Sequence, residues 1–320
     1  MDKCFTKSKR RSQPSTARGF TLPELIVAIT VMGIIMGLVI PMVLGVREGV
    51  RADQLRTGAN QRVREASDLI GADVRIAGER FPAGTTLQLQ PLEIVDGGAG
   101  PDELIIRRSL WAGTLPVCEN NLQGAGATIR VVRDNGWLGS PEGQGHPECG
   151  QPVGADGWPR NLSEVRALAD EVGIDGVLQG FLFDPANDVG EFISFEVEDN
   201  ANLTGQIRRT NGGSLQGNYL LENRPLIYVL SERRYRVAGE VLELLLDGGE
   251  APLRAVPSII NFRARFVLDG GVTAAALPAG VSWRDIQGVE LTLTSRTEGG
   301  GDENVQTLTS SYFPRNVLSR

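Results

Sequence analysis

Leu25 to Val46 is a run of 22 residues without a charge, and few water-soluble folds can hide such a segment. As a helix rising about 1.5 Å per residue it extends about 33 Å, enough to cross a hydrocarbon core of about 30 Å. The run therefore predicts one membrane-crossing helix. What precedes it sets the direction. Residues 1–19 carry Lys3, Lys7, Lys9, Arg10, Arg11 and Arg18 against Asp2, and a cationic flank of this kind stays in the cytoplasm while the C-terminal bulk is exported. In a secretory signal the apolar segment precedes the cut and is discarded with it. Here the apolar run follows the candidate cut at Gly19, so the anchor would remain in the mature protein.

The junction reads Arg18-Gly19-Phe20-Thr21-Leu22-Pro23-Glu24-Leu25. A signal anchor alone accounts for the apolar run, but not for Gly-Phe at its boundary with a glutamate just inside. The junction resembles the N-termini of type IV prepilins and type II secretion pseudopilins. That resemblance implies a prepilin peptidase that cuts between Gly19 and Phe20 and methylates the new amine of Phe20. It implies that Glu24 is the filament-assembly residue, pairing in a lipid-like core with the N-terminal amine of a neighbouring subunit. It also puts Pro41 where pilin stems commonly carry a helix-weakening proline. Pro23 is a less usual neighbour for the glutamate. Gly33 and Gly37 stand four apart, a spacing that lets helices approach closely. The motif occupies under a tenth of the chain.

Beyond Gly19 the chain carries 26 basic and 38 acidic residues, a balance opposed to nonspecific nucleic-acid binding, which uses basic surfaces. From Arg47 to about Arg80 the stem is expected to continue as an amphipathic helix. Leu55, Ala59, Val63, Ala66, Ile70, Val74, Ala77 and Phe81 recur at steps of four or three, one face of a helix. Phe81-Pro82 is the expected stop, because the residue before proline disfavours helical geometry. After it the pattern turns to strands: 92–95, 103–110, 128–132, 177–183, 191–197, 203–209, 225–237 and 240–246, the last two joined by a turn at Ala238-Gly239. Phe262, Ala264, Phe266 and Leu268 alternate with polar neighbours, and so do Val289, Leu291 and Leu293. Residues 305–313 form the last expected strand. The fold class is α+β, a long N-terminal helix packed on a large antiparallel β domain. The expected divisions are a leader (1–19), a transmembrane half-stem (20–46), an amphipathic half-stem (47–81) and an exported β domain (82–320) with an insertion at about 133–175. Within that insertion, Asn161 reads as the N-cap and Gly173 as the stop of a short helix.

The tail carries a second resemblance. Trp283-Arg284-Asp285-Ile286, an alternating strand, a polar loop and a final strand closing on Phe313-Pro314-Arg315-Asn316 are similar to PilW-type minor pilins and J-type pseudopilins. The resemblances together imply a non-enzymatic minor pilin of a type IV pilus, acting in filament initiation or at the tip, in DNA uptake, motility or adhesion. They imply an inner-membrane protein with a cytoplasmic N-terminus that leaves membrane lipid for a filament at the cell surface or in the periplasm. The implied partners are the prepilin peptidase, the major pilin, other minor pilins and the inner-membrane assembly platform. A J-type subunit of a type II secretion pseudopilus is the close alternative, and a membrane-tethered envelope enzyme or binding protein is the alternative from another class.

Few residues support the enzyme. His146 is the one histidine, set in a Gly/Pro-rich stretch with no identifiable orienting partner. No phosphate loop or dinucleotide fingerprint occurs, and no cofactor is expected. Asp184, Asn187, Asp188 and Glu191 offer oxygen ligands of the kind calcium takes, though in no EF-hand spacing, and a solvated loop is the simpler reading. Arg107-Arg108, Arg208-Arg209 and Arg233-Arg234-Arg236 could meet phosphates if they converged; pairing with cross-strand acids is the preferred use. Cys118 and Cys149 lie in the exported part, where an oxidising compartment favours a bridge over two buried thiols. The loop it closes would be worth about 3–4 kcal/mol on the chain-entropy account.

Overall fold

The computed structural model describes residues 19, 21–81, 89–119, 121–126, 128–132, 149–150, 158–173, 175–197, 205–210, 212–247, 249, 251–297 and 305–318. Two compact units divide the chain, one up to Gln54 and one from Leu55 onward. In chain order the elements are α1 (Leu22–Ile76), β1 (Leu92–Val95), β2 (Glu103–Ser109), β3 (Leu115–Pro116), β4 (Asn121–Gly124) and β5 (Thr128–Arg130). Then come α2 (Arg160–Val172), β6 (Leu178–Asp184), β7 (Val189–Val197), β8 (Gln206–Arg209), β9 (Leu215–Leu220) and β10 (Leu226–Ala238). The chain continues through β11 (Val241–Leu246), β12 (Leu253–Pro257), β13 (Ile259–Leu268), β14 (Thr273–Ala274), β15 (Ile286–Arg296), β16 (Val305–Tyr312) and α3 (Arg315–Leu318).

In the first unit every described residue of α1 up to Gln54 is exposed. The helix runs without interruption through Pro41, whose missing N–H removes one backbone bond. The single helix long and apolar enough to cross a membrane among the described residues is this one.

The second unit is an α+β domain. Ten strands form one sheet in the order β1-β2-β10-β6-β7-β8-β5, with β3, β11 and β12 branching from it. Four form a second sheet, β14-β13-β15-β16, and β4 pairs with β9. Each recorded pairing is antiparallel. β10 organises the large sheet because it is long enough to change partners along its length. Residues Leu226–Leu230 pair with β6, and Leu230–Tyr235 pair with β2 on the opposite edge. The far end, Arg233–Ala238, pairs with β11. Its side chains reach separate cores accordingly. Tyr235 packs with α1, β13 and β15, whereas Ile227 and Val229 pack with α2, β7 and β8. Tyr228 and Leu230 point the other way, onto Phe181 and Phe183.

The apolar stripe of the stem lies where its periodicity put it: Ala59, Val63, Ala66, Ile70, Val74 and Ala77 are all buried. Three polar devices fix this part of α1 to the sheets. Asp73, 4% exposed, accepts hydrogen bonds from Arg233 Nη1 and from the Tyr235 hydroxyl, both at 2.5 Å. Ser67 Oγ and Tyr312 Oη share a hydrogen bond of 2.8 Å. One turn along, the Tyr312 ring lies so close that a β-carbon at Gly71 would stand 2.2 Å from Tyr312 Cε1. A further turn along, the Arg75 guanidinium covers the same ring at 5.0 Å.

Several boundaries differ from the sequence reading. α1 stops at Ile76, short of Phe81-Pro82, because Gly78 takes a left-handed φ of 71°. A left-handed glycine just past the last turn is a common helix exit, but here its N–H turns to Arg107 O of β2 at 2.9 Å instead of back to the helix. The β10–β11 turn is Gly239-Glu240, one residue later than expected, with φ of 55° and 60°. Two successive positive φ values make a type I′ turn, whose twist suits a hairpin. α2 begins after Pro159 rather than at an Asn161 cap, and Gly173 closes it as expected. Leu162, Val165 and Ala169 of α2 belong to the second core, so this half of the expected insertion is structural. The Asp134–Pro159 loop, His146 included, falls mostly outside the described residues. β3, β4, β9, β12 and β14 were not anticipated.

Gly71 gives a test of the Tyr312 contact. At an open helix position, Gly→Ala stabilises by about 0.5–1 kcal/mol, and Gly58, with nothing within 4 Å of its would-be β-carbon, should follow that rule. Gly71→Ala should instead destabilise by about 1–3 kcal/mol through overpacking. Denaturant unfolding of the two variants measures the difference, and equal stabilisation by both would remove the close approach of Tyr312.

Candidate functional site

The residues named for processing and assembly gather at the start of α1. Gly19 is exposed, and Phe20 lies outside the described residues. Thr21 immediately precedes the helix, and its carbonyl accepts the Leu25 N–H at 3.1 Å. Glu24 then folds back: its Oε2 accepts the Thr21 backbone N–H at 3.1 Å and the Thr21 hydroxyl at 3.0 Å. This is the carboxylate half of a capping box, which satisfies a donor that the first helical turn leaves free. Thr21 thus gives Glu24 a partner within its own chain. The signal was present, since Thr-x-x-Glu ahead of an apolar run is the capping-box pattern. Pro23 is compatible with this end for the same reason, because first-turn N–H groups have no helical acceptor to lose. Deeper in the run, Thr30 hides its hydroxyl by donating to Ile26 O and Val27 O at 3.0 and 2.9 Å.

Among the described residues at the start of α1, no nucleophile, base and orienting group stand together. The arrangement is an exposed glycine, a capped acidic residue one turn into a helix, and an apolar surface uncovered by its own unit among the described residues. A family model described as the prokaryotic N-terminal methylation motif matches residues 14–40. The chain carries the N-terminal methylation motif of type IV prepilin and pseudopilin proteins. No curated protein matches it. The matched segment contains Gly19, Phe20 and Glu24 and ends one residue before Pro41. This prepilin-type N-terminus implies processing by a prepilin peptidase and an apolar helix anchored in the inner membrane.

The other candidates in this prepilin-type chain resolve into structure. Asp184, 1% exposed, accepts from Ala186 N, Asn187 N, Asn187 Nδ2 and Asn223 Nδ2 at 2.8–3.3 Å. Glu191 accepts from Gln216 N, Gly217 N and the Tyr219 hydroxyl at 2.8–3.3 Å. These two carboxylates serve separate elements, Asp184 the turn that follows it and Glu191 the strand β9. Among the described residues no three His, Cys, Asp or Glu side chains are grouped to hold a metal ion. The arginine clusters are committed to acids. Arg107 pairs with Glu93 and Glu232, Arg108 with Glu79, and Arg208 with Glu196. Arg233 pairs with Asp73, Arg234 with Glu103 and Glu232, and Arg236 with Glu243. Arg209 departs from the pattern and donates to Gly126 O and Gly213 O. Cys118 and Cys149 form a disulfide with a Cα–Cα distance of 5.8 Å.

Burial, reinforced by the hydrogen bond to Glu191, pushes the Tyr219 phenol above its ordinary value of 10.0. The folded protein thus holds this proton more tightly than the unfolded chain. The resulting stability is complete below pH 10.0 and is lost as pH rises toward the folded-state value. Tyr219→Phe should lower stability near neutral pH by about 0.5–1.5 kcal/mol and flatten the alkaline loss. Unfolding free energies measured across the alkaline range check this, and an unchanged alkaline slope would contradict it.

Proposed function

We propose that this chain is a minor pilin, a non-enzymatic structural subunit of a type IV pilus that acts in filament initiation or at the tip. The prepilin peptidase cuts between Gly19 and Phe20 and methylates Phe20. The anchor waits in inner-membrane lipid with its N-terminus cytoplasmic, until the assembly platform moves it into a filament beside the major pilin and other minor pilins. The observation that carries this reading is the methylation motif at 14–40 at the head of a helix whose apolar first half is exposed throughout. The β domain, with fourteen of its strands in two sheets, supports an accessory subunit rather than a short major one. The tail resemblance supports the PilW-type subgroup.

In this reading Glu24 exchanges partners. In the lone chain its carboxylate is held by Thr21, which lowers the penalty of an acidic group near the bilayer interface. In the filament it meets the methylated amine of a neighbour, a cation that outcompetes a neutral hydroxyl and amide for a carboxylate. Glu24→Ala should therefore leave membrane insertion intact and remove the subunit from filaments. Immunoblots of sheared filaments and of membranes test this. Wild-type levels of the variant in the filament fraction would deny Glu24 an assembly role.

A further inference from the structure

Glu24 does not stand alone on its side of α1. At about 3.6 residues per turn, Val27, Ala28, Val31, Met32 and Ile35 fall on the same side, and with Glu24 they line one shallow groove. Its floor is uneven. Glu24, Ala28 and Met32 follow at steps of four, the spacing of one ridge of side chains along a helix. The middle member of that ridge is only a methyl group. Ala28 therefore leaves a notch one turn beyond the carboxylate, flanked by Val27 and Val31 and ended by Met32, all of them exposed. Gly33 and Gly37, the other close-approach candidates of the stem, fall about half a turn round the helix from Glu24. A stem that approached through those glycines would leave the notch open.

The assembly contact at Glu24 decides what reaches this place. The cation that meets Glu24 is the methylated amine of a neighbour's first residue, and in this chain that residue is Phe20. Amine and phenyl ring hang from the same α-carbon, so the ring cannot land far from the carboxylate. On the leader side Glu24 is bordered by Thr21, whose N–H and hydroxyl already face it. On the other side lies the notch, with apolar walls. Inside lipid, stems associate by close packing rather than by the hydrophobic effect. An unfilled notch between two stems forfeits packing contacts, and a ring that fills it restores them.

We propose, resting on the pilin reading of the chain, that the notch at Ala28 receives the aromatic ring of a neighbouring subunit's methylated N-terminal residue. One residue of the neighbour then makes two contacts, its cation on Glu24 and its ring on Ala28. Val27 and Val31 meet the edge of the ring, and Met32 offers it a sulfur–aromatic contact. The neighbour runs parallel to this chain and is set about four residues, or about 6 Å, farther along it. Stems inserted side by side in one membrane or one filament can adopt that offset. A lone carboxylate pairs with any cation. The notch adds selection for an aromatic first residue and fixes the axial offset between adjacent stems.

The test uses the full chain in the cells that make it. A photo-cross-linking p-benzoylphenylalanine replaces Met32, which leaves the notch itself open, and irradiated filaments are digested for mass spectrometry. The probe should be joined to the methylated N-terminal peptide of a neighbouring subunit, in clear excess over the same product from a probe at Ile26 on the opposite side of the helix. Ala28→Phe fills the notch and should lower the amount of the chain in sheared filaments about tenfold, with membrane level and scission unchanged. Ala28→Gly keeps the notch open and should enter filaments as the wild type does. A wild-type chain that is absent from filaments would overturn the pilin reading and this proposal with it. A chain present in filaments whose Met32 probe joins lipid or mid-stem peptides alone, or whose Ala28→Phe variant enters at wild-type levels, would overturn the notch contact and leave the pilin reading standing.

Discussion

The first half of α1 presents an apolar surface that its own unit does not cover among the described residues. From Leu25 to Val46 the helix carries no charge and all of its side chains are exposed. Hydrophobic burial contributes about 25 cal/mol per Å², so a surface of this kind is stable only where lipid or apolar protein covers it. The remaining features of the N-terminus answer that constraint. In the proposed reading the cations of residues 1–19 orient the helix; Thr30 folds its hydroxyl onto the backbone, and Thr21 holds the carboxylate just ahead of the apolar run. Thr21 follows the proposed cut, so the cap survives processing and remains in the subunit that waits in the membrane.

The second half of the same helix has the opposite task, to join a β domain in one register. An apolar stripe of alanines and β-branched residues allows close packing but specifies rotation and axial position weakly. Asp73 supplies the missing specificity, because its carboxylate is buried and has to meet both Arg233 and Tyr235. A buried ionic group of this kind contributes little net stability, and register is its best-attested use. Tyr312 adds a second pin from the far end of the chain. Its hydroxyl, ring edge and ring face meet Ser67, Gly71 and Arg75 on three successive turns. The last strand therefore closes on the stem.

Much of this was legible in the sequence. Long alternating segments such as Phe262–Leu268 and Val289–Leu293 were found because one face is buried and the other wet, and periodicity reports that directly. The stem stripe was found for the same reason. Short strands such as β3 and β4 escaped because two to four residues carry no period. The helix stop was misplaced because Phe81-Pro82 is a stronger local signal than Gly78, whereas the tertiary bond from Gly78 to Arg107 decided the boundary. At the candidate site the methylation motif around Gly19 and Glu24 was visible, but the cap at Thr21 was overlooked although its pattern stood in the same residues. Asp73 and Tyr312 were not found at all, since nothing local distinguishes a buried aspartate from an exposed one on a charged helix.

The central claim is that this chain is made as a precursor and enters a filament by way of its processed N-terminus. Mass spectrometry of the N-terminal peptide, taken from envelopes of cells with and without prepilin peptidase, tests it most directly. The account predicts a chain beginning at methylated Phe20 when the peptidase is present, and one retaining residues 1–19 when it is absent. A chain that keeps residues 1–19 in the presence of active peptidase would contradict it.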